Sequence, residues 1–213
     1  MKRQWRLVLL LLGAAALACP ARAQQPPPPA SAAAKPKPAP KPAPKPAAAK
    51  PAAPAAAAAA AVAGGAQPKL LGQFGTWGAY SASPGGKKIC FAIAKPTSSE
   101  TNPPNRPRNP IFMFISSRPA DKVSNEVSVV IGYPFKPGSD AAAQIGSTSF
   151  ALYTQQDGAW IKNAADEAHM VDAMRSADTA VVRGVSVKGT RSTDTYTLKG
   201  VAQALDRTAQ ECK

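Results

Sequence analysis

The chain has one histidine and only 12 acidic residues among its 213. A lone imidazole gives no second histidine for a zinc centre and argues against a serine–histidine–aspartate triad. No serine lies in a Gly-x-Ser-x-Gly elbow, and neither a zinc-protease helix motif nor a phosphate-binding P-loop is present. Aromatic residues make up 6% of the chain, and no basic helix or aromatic–basic interleaving occurs, so the formal charge of +14 does not indicate a nucleic-acid binder. Long hydrophobic runs are also missing. The longest, Leu7 to Ala18, has about a dozen residues against the roughly 20 that cross a bilayer, so no transmembrane span is expected in the mature chain.

The scarcity of acids is uneven. Residues 1–23 carry Lys2, Arg3, Arg6 and Arg22 without an acid, and residues 24–68 carry Lys35, Lys37, Lys41, Lys45 and Lys50 without one. Removing these nine cations from +14 leaves +5 for the rest. A basic tail on a mildly basic domain points to a cationic tether. Residues 1–23 have a positive start, an apolar centre and the small-x-small triplet Ala21, Arg22, Ala23, which predicts a signal peptide cleaved after Ala23. The competing reading is a lipoprotein acylated at Cys19. Ala16, where a branched residue is expected, and Pro20 directly after the thiol argue against it.

Residues 24–68 contain 20 alanines and 13 prolines. Such a segment buries too little apolar surface to offset chain entropy and is expected to be a disordered linker biased toward polyproline II. Within it, Ala55 to Ala61 favours a helix, which Pro54 before it and Gly64 and Gly65 after it confine to a couple of turns. The five lysines suit either attraction to an anionic envelope surface, outer membrane or cell wall, or simple solubility.

Residues 69–213 are enough for one domain. Period-two alternation around Ile89–Ile93, Val127–Ile131, Phe150–Leu152, Val185–Val187 and Tyr196–Leu198, the apolar run Ile111–Ile115, and short candidates at Phe74–Tyr80 and Ala159–Lys162 predict seven or eight strands. The fold expected is mainly β, an antiparallel sandwich or partly closed barrel. Two helices are added, Ala164–Ala177, opened by Asn163 and Asp166 as a capping box, and Val201–Cys212. Cleavage after Ala23 leaves Cys90 and Cys212, expected to be bridged in an oxidising compartment, with inert buried thiols as the alternative.

Candidate chemistry is thin. Asp166, His169 and Asp172 share one helix face, a weak metal motif more readily explained as a solvated surface. Pro96–Pro110 holds five prolines with Arg106 and Arg108 and reads as a long loop, which makes these two arginines the candidate binding residues. The plain alternative is a proline-stiffened crossover. Phe74, Trp77, Tyr133, Phe135 and Trp160 suit an aromatic surface, but core packing accounts for most of them.

Several segments carry a family resemblance: Phe74, Gly75 and Trp77; Lys88 and Cys90; Ser117 to Pro119; Glu126 and Val127; Ile131 to Ser139; Ala159 and Trp160; Asp194 to Leu198 with Gly200; and Ala204 to Cys212. Together they resemble the bacterial invasion-associated locus B family across the whole domain and none of the tail. Lys188, where relatives are expected to carry arginine, is a departure. The resemblance implies an exported protein, periplasmic, outer-membrane-associated or secreted, in a family named for a member linked to host-cell invasion. It brings no catalytic residue, cofactor or defined ligand.

The reading that results is a non-enzymatic envelope protein engaging an anionic surface or a protein partner, with no nucleic acid and no cofactor. The alternatives are an enzyme using acids such as Asp194 or Glu126 in a cleft, and a helper for other exported proteins, which would expose a large apolar patch.

Overall fold

The computed structural model describes residues 64–213. The expected signal peptide, its cleavage after Ala23, Cys19 and nearly all of the linker lie outside the described residues. Eleven strands, all paired antiparallel, form one sheet: β1 Lys69–Phe74, β2 Trp77–Ala82, β3 Ile89–Ala94, β4 Ser98–Asn102, β5 Phe112–Arg118, β6 Val123–Val130, β7 Ala141–Ile145, β8 Thr148–Gln155, β9 Gly158–Ile161, β10 Thr179–Val185 and β11 Arg191–Thr197. Two helices follow β9 and β11, α1 Glu167–Ser176 and α2 Val201–Glu211. The sheet order is β1-β2-β3-β5-β6-β9-β8-β7-β10-β11-β4, so β7, β8 and β9 run in reverse order between β6 and β10, and β4 is carried away from both β3 and β5 to the far edge.

That displacement shows how the sheet is shaped. Only Lys95, Pro96 and Thr97 separate β3 from β4, a reach of about 14 Å at most, yet β4 pairs with β11 at the far edge. The sheet must therefore curl until its two ends approach. The Trp77 indole N–H donates to the Thr197 carbonyl at 2.9 Å, tying β2 to β11. Gly200 (φ 99°), which opens α2, lies so close to the β1–β2 turn that a Cβ would stand 2.1 Å from the Phe74 carbonyl oxygen. This is the expected partly closed barrel, open because β1 and β4 do not pair with each other.

Alternation places one side chain in two inside the curl. Trp77, Met113, Ile115, Val129, Leu152 and Val182 are at most 1% exposed in the main core, which Met170 and Met174 of α1 and Leu205 of α2 complete. A second apolar cluster lies on the other face of β2, β3 and β5, formed by Tyr80, Ala82, Ile89, Phe91, Ile93, Phe112 and Phe114. Cys90 points to the inner side and is bonded to Cys212 just beyond α2, with Cα atoms 6.0 Å apart. Lys88 and Arg207 both pair with Glu211 beside this bridge.

Several expectations need correction. There are eleven strands among the described residues, not seven or eight. Phe74–Tyr80 is not one strand but the end of β1, a turn at Gly75 and the start of β2. Pro96–Pro110 is not loop throughout, because β4 lies within it. Its sequence, Ser-Ser-Glu-Thr-Asn, has no apolar alternation; as an edge strand it is held by backbone pairing to β11 alone. The strand expected around Val185–Val187 ends at Val185, and Val187 stands 52% exposed in the turn to β11. β7 was missed because Ala-Ala-Ala-Gln-Ile shows little contrast between faces. The first helix opens as a short 3-10 turn, with Asn163 Oδ1 accepting from Ala165 N–H and Asn163 Nδ2 donating to Asp166, before α1 begins at Glu167.

Candidate functional site

The crossover from β4 to β5, Pro103–Ile111, runs across one end of the curled sheet and is anchored from within by Arg108. Its guanidinium meets Asp194 of β11 with two prongs, Nη2 to Oδ2 at 2.6 Å and Nη1 to Oδ1 at 2.7 Å. Nε and Nη2 also donate to the Ile131 carbonyl at 3.0 and 2.6 Å, and Nη1 donates to Ser99 Oγ at 3.0 Å. Ser99 Oγ in turn donates to Asp194 Oδ1 at 2.5 Å, and the Tyr133 ring lies 5.0 Å from the guanidinium carbon. The side chains of Arg108 and Asp194 are 6% and 0% exposed. Such a planar fork suits arginine and not lysine.

Asp194 reaches this place because β11 alternates inward at Ser192, Asp194 and Tyr196. Ser192 and Tyr133 share a hydroxyl hydrogen bond of 2.6 Å, and burial pushes the Tyr133 phenol above its usual range. Tyr196 is fully buried; burial first, then the Asp194 charge, raise its pKa strongly, and its hydroxyl has no partner among the described residues. Next to Arg108, Asn109 N–H donates to the Gly132 carbonyl at 2.9 Å. Gly132 (φ 78°) permits this contact, since a Cβ there would lie 2.2 Å from the Asn109 oxygen.

The two candidate arginines therefore differ in kind. Arg108 is neutralised inside the domain and supplies rigidity. Arg106 is exposed, and the loop holds its backbone N–H 3.1 Å from Thr101 Oγ1. A cavity of about 760 Å³ on one side of the loop is lined by Lys95, Glu100 and Arg106; another of about 590 Å³ on the other side is lined by Arg106, Tyr133, Val187 and Lys188. Arg106 and Arg108 border both, Arg106 as the exposed one of the two, and each cavity adds a lysine. Lys188, singled out in the sequence only as a departure, belongs to this place.

The other candidates lie apart. Glu126 faces outward on β6 in a two-pronged pair with Arg118, at 3.0 and 2.9 Å, whereas Asp194 faces inward, so the two acids do not converge. Burial raises the pKa of the neighbouring Glu167, which accepts a hydrogen bond from Val127 N–H at 2.7 Å. His169 packs edge-on against Phe150, and no three His, Cys, Asp or Glu side chains cluster as a metal site among the described residues. Trp77 and Phe135 are core residues, Phe74 and Tyr133 pack partly buried against the core, and Trp160 stacks on Tyr153 on the outer face.

The profile of the family described as invasion associated locus B (IalB) protein matches residues 77–209, more than half of the chain. The chain belongs to this family. The match in this locus B protein runs from the start of β2 almost to the end of α2, so the Arg108–Asp194 pair and both grooves lie inside it. Invasion associated protein B from Bartonella henselae, a crystal structure, is similar at 16% identity and a TM-score of 0.47, over 65% of this chain and 94% of that one. No curated protein matches. Membership of the locus B family supports an invasion-associated envelope protein, and no described helix is long and apolar enough to cross a membrane.

Proposed function

We propose that this protein is a non-enzymatic, exported binding module of the cell envelope, and that the β4–β5 crossover recognises an anionic component of the envelope or of a host surface. The observation that carries this reading is the division of labour between the two arginines: buried Arg108 fixes the loop, which leaves exposed Arg106 bordering two grooves with Lys95 and Lys188. A preorganised loop loses little conformational entropy on binding. The lysines of residues 24–68 carry the same sign and would hold the chain near the same anionic surface. Export through cleavage after Ala23 places the protein in the periplasm, at the outer membrane or outside the cell.

The test is co-sedimentation of the chain from Gln24 to Lys213 with outer-membrane vesicles and with cell-wall sacculi across a salt series. The double variant Arg106→Ala/Lys188→Ala is run alongside. Loss of binding at moderate salt in the variant supports the groove. Equal binding by both chains at every salt concentration would sink it.

A further inference from the structure

Of the two grooves beside the β4–β5 crossover, the one that meets the β10–β11 turn differs from the other in its charge and in its rim. The groove at Lys95 contains Glu100, whereas none of the residues lining the groove at Lys188 is acidic. Arg108 is neutralised there by Asp194, so the free charge of this lining comes from exposed Arg106 and Lys188. Around these two cations stand Pro103, Pro107, Pro134 and Val187, all exposed. Val187 is 52% exposed; Tyr153 is the other large apolar side chain exposed among the described residues, and its ring stacks on Trp160.

The exposure of Val187 is built into its turn. Its N–H donates to the Pro134 carbonyl at 3.1 Å, while Ser186 N–H donates to the Thr190 carbonyl at 2.9 Å and Gly189 N–H to the Ser186 carbonyl at 2.8 Å. These bonds hold the valine where it meets solvent. Proline has no N–H, and that of Val187 is already bonded, so this rim can enter a poorly hydrated layer with few donors left unpaired. Arg106 and Lys188 have long apolar stems, which let their charges stay at the level of an anion while the rim goes deeper.

The geometry points to the phosphate headgroups of an anionic lipid bilayer as the occupant of the Lys188 groove. The two cations meet the phosphates, and Val187 with the three prolines lies against the glycerol and the first acyl carbons. This names the ligand class for the anion recognition proposed at the crossover and rests on that proposal. A cell-wall polyanion matches the charge but sets a hydroxyl-covered surface against an apolar rim. A bilayer places phosphate directly beside hydrocarbon and matches both.

The experiment uses the chain from Gln24 to Lys213 with Val187→Cys bearing a polarity-sensitive dye. The control carries the dye at Ser147→Cys, an exposed position in the β7–β8 turn, which lies at the end of β10 away from Val185. The expected result is a blue shift at position 187 on vesicles of phosphatidylglycerol mixed with phosphatidylcholine. No shift is expected there with phosphatidylcholine alone, soluble glycerol phosphate or polyglutamate, nor at position 147 with any of them. Without dye, Val187→Ser should bind the mixed vesicles about tenfold more weakly, and Arg106→Ala and Lys188→Ala about fivefold more weakly each. The absence of a shift at 187, an equal shift at 147, or an equal shift on phosphatidylcholine alone would overturn the inference. So would an equal shift with either soluble anion, and with polyglutamate it would make an acidic polypeptide the partner. The two proposals fail separately. If Arg106→Ala/Lys188→Ala weakens binding to vesicles and sacculi while position 187 stays in water, anion recognition stands and the lipid assignment falls. If that double variant binds as the parent does, both fall.

Discussion

Arg108 and Asp194, 86 residues apart in sequence, are joined by two hydrogen bonds of 2.7 and 2.6 Å inside the domain, the arginine in a proline-rich crossover and the aspartate on the next-to-last element. This pair makes the loop part of the fold. Removing one partner strands the other charge in the interior, so Arg108→Ala is expected to lose about 3–5 kcal/mol in urea unfolding. Replacing both with apolar residues of similar size, Arg108→Met with Asp194→Leu, should recover much of that loss. If the single variant is as stable as the parent, the pair is not a structural anchor.

Gly132→Ala is expected to destabilise as well. The residue adopts a left-handed conformation and its new methyl would collide with the Asn109 carbonyl. At a compatible backbone Gly→Ala stabilises by about 0.4–1 kcal/mol; here the positive φ and the collision reverse the sign and the loss should exceed that amount, and amide exchange should accelerate around Asn109 and Ile131. A variant with normal stability and protection would show that the loop tolerates displacement.

Tyr196→Phe removes a buried hydroxyl without a described partner. The expected outcome is unchanged stability or a gain of about 1 kcal/mol, since an unsatisfied buried group costs that much or more. A clear loss in thermal unfolding would reveal a hydrogen bond to buried water.

Glu167 has a folded pKa raised first by burial, with Glu126 adding to it against opposing contributions from Val127 N–H and Arg118. For an acid with a raised folded value, the folded state holds its proton more tightly, so stability falls as pH rises from the unfolded pKa through the folded one. Glu167→Gln keeps an acceptor for Val127 N–H and should be more stable than the parent at pH 7. The difference should close as pH falls below the ordinary carboxylate range. Urea titrations at pH 4 and pH 7 check it, and a variant weaker at pH 7 would refute it.

Cys90→Ala with Cys212→Ala opens a link across 122 residues. Loop entropy alone predicts a loss of about 4–5 kcal/mol. Exchange at the C-terminal end of α2 should rise most, because Cys212 holds it to β3. Unaltered stability would mean that Lys88 and Arg207, through Glu211, suffice to hold the helix end.

The fold was legible where burial alternates. Ile89–Ile93, Val127–Ile131 and Phe150–Leu152 expose one face to the core and another to something different, and both helices carry apolar residues at helical spacing. β4 and β7 were illegible for opposite reasons: the first is all polar and held only through its backbone, while the second is nearly all alanine and offers no contrast. Arg106 and Arg108 stood out from the sequence as loop cations, but nothing local separates them. Their different fates depend on Asp194, whose inward orientation requires the position of β11 beside β4, a relationship between distant strands that no periodicity encodes. The second apolar cluster was legible only in part, since alternation sets Ile89, Phe91 and Ile93 opposite Cys90 but nothing local shows that both faces are buried.

The place of β4 has a further consequence during export. A chain crossing a membrane from its N-terminus can close β1, β2, β3, β5 and β6 in succession, because each pairs with a neighbour already delivered or next to arrive. β4 has no such neighbour. Its partner β11 follows some 90 residues later, and contacts at that separation form late. Until residue 194 arrives, Arg108 remains in water and the crossover carrying Arg106 has no fixed course. The β4–β5 crossover is thus fixed only once β11 has arrived, and a chain cut short before β11 would bring the earlier strands out without it in place.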